Sequence, residues 1–105
     1  MAVKKYDKLV RDKIPDIIRQ NGQTCVVRTL DAEEYLLRVD AKLDEELAEY
    51  HSDQNIEELA DLLEVLYAAA SARGYTPQEL EQVRKEKADQ RGGFSQRLLL
   101  VEVAE

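Results

Sequence analysis

The sequence predicts a mainly α-helical fold in which an antiparallel helical hairpin forms a four-helix-type bundle on oligomerisation, beside a small two-stranded β element. Two long helical stretches, residues 31–50 and 55–73, are separated by a short polar turn. Two short apolar stretches, residues 24–30 and 97–103, have strand-like composition. The length of 105 residues suits a single domain spanning residues 1–105.

The first elements follow from local signals. A short helix is predicted from Pro15 to Asn21, because proline favours the first helical position and Gly22 follows the last. The stretch "TCVVRTL" at residues 24–30 is rich in β-branched residues and is predicted to be a strand.

Each of the two long helices begins at a predicted cap residue. Asp31 begins the first helix, with Glu34 in the capping-box position, and the helix is expected to run to about Tyr50. "HSDQ" at residues 51–54 is predicted to be the turn, and Asn55 to cap the second helix. That helix is expected to end near Arg73, before Gly74.

The third helix carries the same start signal. Thr76 is its predicted cap, followed by Pro77 and, three residues after the cap, Glu79. It is expected to stop at Gly92-Gly93, and the strand predicted at residues 97–103 then has residues 24–30 as its partner.

Composition excludes several classes of function. The chain has 15 basic and 22 acidic residues, a net charge of −7, which argues against a nucleic-acid partner. Its single cysteine, Cys25, cannot form an internal disulfide, so a reducing, cytoplasmic location is expected. No apolar run reaches the roughly 18 residues of a membrane span, so no membrane partner is expected.

Acidic residues follow one edge of the first long helix. At about 100° per residue, its apolar stripe is predicted to contain Leu36, Val39, Leu43, Leu47 and Tyr50. Along one edge of that stripe lies a continuous polar arc made of Lys42, Glu45, Glu46 and Glu49.

The second long helix is apolar around most of its circumference. Its one polar strip, made of Glu57, Glu64 and Ser71, is the predicted solvent face. Glu58 and Asp61 lie off that strip, on the side of Val65, Ala68 and Ala72. Ionised carboxylates there would cost several kcal/mol each unless they were paired or metal-bound. These two acids are therefore expected to have a partner.

The short turn brings the two acidic groups together. In an antiparallel hairpin, Glu58 and Asp61 meet the acids near the end of the first helix, so up to five carboxylates converge. Oxygen-only clusters suit Mg²⁺ or Mn²⁺. Two simpler readings remain open: "DEELAE" as a solvated face, and Glu58 as the return partner of a capping box with Asn55.

These motifs resemble a known superfamily. "EELAE" at residues 45–49 and "ELAD" at residues 58–61 resemble the E-E-x-x-E … E-x-x-D signature of the MazG-like all-α NTP pyrophosphatases. "YDKLVRDKIPDII" at residues 6–18 and "KADQRGGFSQRLLL" at residues 87–100 resemble the phosphoribosyl-ATP pyrophosphohydrolase-like, house-cleaning subgroup. One departure is the short spacing: eight residues, from Tyr50 to Glu57, separate the acidic motifs.

The resemblance implies a nucleotide substrate and Mg²⁺-dependent cleavage between its α- and β-phosphates, with Mn²⁺ as the alternative ion. It implies as metal ligands Glu46, Glu49, Glu58 and Asp61. Glu45 would orient or deprotonate water, and Lys42 would neutralise leaving charge. Lys87 and Arg91 are candidates for holding phosphates, or for pairing with the carboxyl end of their helix.

Two further expectations concern partners. The basic run from Lys4 to Lys13 is most simply a solvated end, although Arg11 and Lys13 could reach a phosphate across a dimer interface. A homodimer or higher homo-oligomer is expected, because one helical arc is left uncovered; that arc contains Val65, Ala68, Ala69 and Ala72. Two other functions remain: a non-catalytic helical interaction protein, and a phosphoribosyl-ATP pyrophosphohydrolase.

Overall fold

Helices make up most of the protein. The computed structural model describes residues 2–104 and contains α1 (Ile14–Gln20), α2 (Ala32–Asp53), α3 (Ile56–Ala72) and α4 (Pro77–Arg91). The mainly helical prediction is confirmed. Within the described residues, no helix is both long enough and apolar enough to cross a membrane.

The predicted caps place the helix starts. The Asp31 carboxylate accepts the backbone N–H of Glu34 at 2.8 Å, and the Asn55 side-chain oxygen accepts that of Glu58 at 2.9 Å. Thr76 and Glu79 form a complete capping box. The side chain of Glu34 instead binds Arg28 at 2.7 and 2.8 Å. Helix α2 therefore has the N-cap bond from Asp31 but lacks the second bond of a capping box, in which Glu34 would accept the backbone N–H of Asp31.

The turn of the hairpin is shorter than predicted. Residues 51–53 continue α2, and only Gln54 and Asn55 separate it from α3, so the prediction of a four-residue turn at "HSDQ" is wrong. Nothing in that stretch breaks a helix. Gln54 ends α2 by adopting a left-handed conformation, with φ of 51°, while its N–H still bonds to the carbonyl of Tyr50 at 2.8 Å.

The two long helices pack antiparallel along their length. Near the turn, acidic side chains of α2 and α3 meet, and at the far end Arg73 binds Asp40 at 3.3 Å. Val39, only 1% exposed, is the centre of the small core. Helix α4 packs on α3, and the molecule extends to 65 Å in its longest direction.

The predicted β element is absent from residues 2–104. Neither residues 24–30 nor residues 97–103 form a strand. Both stretches have β-prone side chains, but a strand requires a backbone partner, and neither pairs with the other. Most of their apolar side chains stay in solvent: Val26 is fully exposed, Leu98, Leu99 and Leu100 are 79–87% exposed, and only Cys25 and Leu30 are partly buried.

The uncovered apolar surface also lies elsewhere than predicted. The arc containing Val65, Ala68, Ala69 and Ala72 is half-buried, because it shares the side of Asp61 that faces α2. The exposed large apolar residues of α3 lie on the opposite side, spaced by three, four and three positions. This leucine stripe consists of Ile56, Leu59, Leu63 and Leu66, which are 77%, 47%, 46% and 40% exposed.

Candidate metal centre

Three carboxylates meet beside the turn of the hairpin. Glu46 comes from the last turns of α2, and Glu58 and Asp61 from the first turns of α3. Each offers one oxygen, and these three oxygens lie within 4.8 Å of one another. The two helices therefore bring together acids from both motifs.

Glu46 is the buried member of the group. It is only 7% exposed, and its Oε1 lies 3.4 Å from Nζ of Lys42, whereas Oε2 is buried without a hydrogen-bond partner among the described residues. It was expected at the edge of the apolar stripe, and Leu47 within it. Leu47 is 43% exposed instead, so α2 is rotated to put a carboxylate where a leucine was predicted.

The electrostatics of the group show an excess of negative charge. Burial raises the pKa of Glu46 and outweighs the hydrogen bond from Lys42, and the charges of Glu49 and Asp61 raise it further. The pKa of Glu58 is also raised, first by burial and then by the charge of Glu49, with smaller contributions from Asp53 and Asp61. Both shifts indicate carboxylates that lack enough positive charge nearby.

The donor set fits a hard divalent cation. All three groups are carboxylates, which Mg²⁺ and Mn²⁺ prefer. Opposite oxygens around an octahedral Mg²⁺ lie about 4.2 Å apart, so the observed spacing needs only small side-chain movement. Oε2 of Glu46 and Oε2 of Glu58 are both buried without hydrogen-bond partners in residues 2–104, and a cation would satisfy them.

Glu45 lies next to the group and is held by two lysines. Nζ of Lys8 approaches its Oε1 at 3.0 Å, and Nζ of Lys42 at 3.4 Å. Burial alone would raise the pKa of Glu45, but the hydrogen bonds and charges of both lysines outweigh it and keep the pKa below its usual value. Glu45 is therefore ionised at neutral pH and available as an acceptor.

Two basic residues at the site were not predicted there. Arg11, taken as part of a solvated end, binds Oδ1 of Asp61 at 2.7 Å within its own chain, and Lys8 binds Glu45. Asp53, assigned to the turn, is helical and close enough to affect Glu58. The signal available in the sequence was that residues 6–18 carried part of the family resemblance.

The other predicted site residues lie less centrally. Glu49 is exposed, but its charge contributes to the raised pKa of Glu58, so it borders the group. Lys87 and Arg91 are exposed on the last turns of α4, with no ion pair to any acid in the described part of the chain. Their phosphate-binding role stays a prediction.

The protein is similar over part of its length to a bacterial protein without an assigned function. A protein of Mycolicibacterium smegmatis, described only as an uncharacterized protein, is 60% identical over 42 residues, which cover 40% of this chain and 43% of that protein. The matched stretch thus spans less than half of either chain. No family model matches the sequence, and no solved structure matches it.

Proposed function

We propose that the protein is a Mg²⁺-dependent nucleoside triphosphate pyrophosphohydrolase of the MazG-like type, cleaving the α–β phosphate bond. The observation that carries the proposal is the burial of Glu46. Its Oε2 has no hydrogen-bond partner among the described residues, and one of its carboxylate oxygens lies within 4.8 Å of oxygens of Glu58 and Asp61. Oε1 of Glu46 pairs with Lys42, but a purely structural helix pair gains nothing from burying the second oxygen without a hydrogen-bond partner.

The residues of the site have distinct tasks in this reaction. Glu46, Glu58 and Asp61 would hold the ion, and the family resemblance implies Glu49 as a fourth ligand. When bound, the ion polarises phosphoryl oxygens and lowers the pKa of attached water. Glu45, kept ionised by its lysines, would accept a proton from the attacking water, and Lys42 supplies positive charge 3.4 Å from both Glu45 and Glu46.

The released products test the chemistry directly. With Mg²⁺ and a panel of ordinary and modified nucleoside triphosphates, we expect a nucleoside monophosphate and pyrophosphate from each nucleotide that is turned over. Chromatography of the nucleotide product, with a pyrophosphate-specific assay, distinguishes the cleavage sites. A nucleoside diphosphate with orthophosphate would contradict α–β cleavage.

Two alternatives are separable from this proposal. Phosphoribosyl-ATP hydrolysis uses the same chemistry on a different substrate, and the same panel would identify it if that compound were included. A non-catalytic helical interaction protein has no reason to bind a divalent cation through Glu58 and Asp61. Calorimetric titration with Mg²⁺ or Mn²⁺ therefore separates the interaction protein from both enzymes. For the enzyme we propose a cytoplasmic location, in keeping with its single free cysteine, Cys25.

We also propose that the protein is a homodimer in which two hairpins form a four-helix bundle. The leucine stripe of α3 runs along the side opposite to α2, and an apolar row of this length on a helix typically marks an interface. A two-fold axis would bury both stripes against each other. The acidic groups would then lie on the outer sides of the α3 pair, open to substrate.

Leu63→Glu should convert this dimer to a monomer. Leu63 lies in the middle of the stripe and is 46% exposed in one chain, so a charge there would be tolerated by the monomer but buried in the dimer. Sedimentation equilibrium should change from twice the 12.0 kDa chain mass to the chain mass itself. Leu37→Glu, at a 67% exposed position of α2, is the matched control and should leave the mass unchanged. A wild-type monomer would contradict the dimer.

A further inference from the structure

The segment before α1 is held on the acidic centre by charged contacts. We name residues 6–13 the N-terminal strap. Arg38 donates to the backbone carbonyl of Asp7 at 3.0 Å, Lys8 binds Glu45 at 3.0 Å, and Arg11 binds Asp61 at 2.7 Å. The strap thus contacts both α2 and α3, through Glu45 next to the carboxylate group and through Asp61 within it.

The strap is weakly attached otherwise. Leu9 is its only partly buried residue, and the side chains of Lys8 and Arg11 are 41% and 57% exposed. A cavity of about 50 Å³, large enough for water, lies between the strap and α2 and is lined by Leu9, Ala41 and Lys42 among others. Exposed ion pairs of this kind contribute little stability, so they can be exchanged for other partners.

Arg11 and a divalent cation would compete for the same carboxylate. A cation held by Asp61 neutralises the charge that attracts the guanidinium, and it repels that guanidinium at short distance. The freed group has five N–H donors in a planar fork, which matches a phosphate better than a lysine does. The phosphates of a metal-bound nucleotide would lie beside the ion, within reach of the position that Arg11 leaves.

We propose that Arg11 is a substrate-binding residue that exchanges Asp61 for the phosphates of the nucleotide when the divalent cation binds. This inference rests on the proposed function, since it requires the cation site. It gives the strap two roles. In the metal-free protein the strap supplies counter-charge to the carboxylates, and in the loaded protein it contacts substrate.

Two titrations with three variants test the exchange. Mn²⁺ is titrated into metal-free protein, and inorganic pyrophosphate into Mg²⁺-saturated protein, both by calorimetry. Arg11→Gln should bind Mn²⁺ about two- to fivefold tighter, because an internal competitor is lost, and pyrophosphate about tenfold weaker. Arg11→Lys keeps the charge but loses the fork, so it should bind Mn²⁺ like wild type and pyrophosphate more weakly. Lys5→Gln removes one positive charge from an exposed residue just before the strap that forms no ion pair in the described part of the chain, and it should change neither affinity.

The outcomes separate this inference from the function on which it rests. If wild type binds Mn²⁺ and Arg11→Gln binds it no tighter, or binds pyrophosphate equally well, the exchange is refuted and the metal site stands. If neither wild type nor Arg11→Gln binds Mn²⁺, the metal site and the exchange both fail. If only Arg11→Gln binds Mn²⁺, the strap is a strong internal competitor, which supports the exchange.

Discussion

Asp61→Asn should reduce Mg²⁺-dependent pyrophosphate release by about a hundredfold or more. Asp61 shares its site with Glu46 and Glu58 and is one of only three oxygen donors that approach within 4.8 Å in the described residues. Replacing a residue that only hydrogen-bonds to a metal ligand already costs about 10- to 100-fold in metal affinity or activity. Losing a ligand itself should cost more. Asparagine keeps the shape of the side chain, and its amide oxygen can still accept from Arg11, so folding should be preserved.

The measurement is the rate of pyrophosphate release at several Mg²⁺ concentrations, with thermal unfolding as a check on folding. Glu64→Gln is the matched control, because Glu64 lies on the same helix but on its exposed polar strip. It removes the same charge and should leave the rate unchanged. Full activity of Asp61→Asn at ordinary Mg²⁺ concentrations would show that Asp61 is not a ligand.

Glu46→Gln should stabilise the metal-free protein at neutral pH. The carboxylate of Glu46 is buried, its pKa is raised by burial, and Oε2 has no hydrogen-bond partner in residues 2–104. A neutral amide of the same shape removes the buried charge. Its oxygen can still accept from Lys42, which keeps its ion pair with Glu45, so we expect a net gain of about 1 kcal/mol in the free energy of unfolding. For a domain of this size, that corresponds to a rise of roughly 4–8 °C in Tm.

The pH dependence of this effect has a definite sign. Because the folded-state pKa of Glu46 is raised, its protonated form favours the folded state, and wild type loses stability as pH rises through that pKa. The advantage of Glu46→Gln should thus be absent below about pH 3, where the carboxyl is protonated in both states, and present at pH 7. Thermal unfolding across this range measures it.

With saturating Mg²⁺, wild type should become more stable than Glu46→Gln. An ion at 100 times its Kd stabilises the wild-type protein by about 2.7 kcal/mol, while Glu46→Gln gains much less. If Glu46→Gln instead unfolds at a lower temperature than wild type without metal at pH 7, the ion pair with Lys42 outweighs the cost of burying Glu46, and the site has lost its main support. Glu64→Gln again serves as the control, with little change under either condition.

The sequence predicted the helices because their signals are local. Asp31, Asn55 and Thr76 each bond a backbone N–H three residues later, and such bonds depend on the adjacent chain alone. The apolar surroundings of Asp61 likewise sufficed to predict that this acid would have a partner. That partner within the chain is Arg11, fifty positions away, and no local pattern specifies such a contact.

What the sequence could not predict depends on packing between elements. The strands proposed at residues 24–30 and 97–103 had suitable side chains but no way to specify a backbone partner. The angle of about 100° per residue was enough to assign the residues of α3 to its different faces. It could not predict which face α2 covers, because that depends on how the side chains of both helices pack together. The same fit decides that Glu46 is buried while Leu47 is exposed.

The two-residue turn between α2 and α3 also affects how quickly the site can form. Glu46 and Asp61 are joined by a single hairpin, so bringing them together costs little loop-closure entropy and involves contacts of low sequence separation. Such a hairpin can form early in folding, before the strap or α4 adds its contacts. Repulsion among the carboxylates would then already be present in the folding transition state. Positive charge that reaches them at that stage would increase the rate of folding and leave the rate of unfolding nearly unchanged.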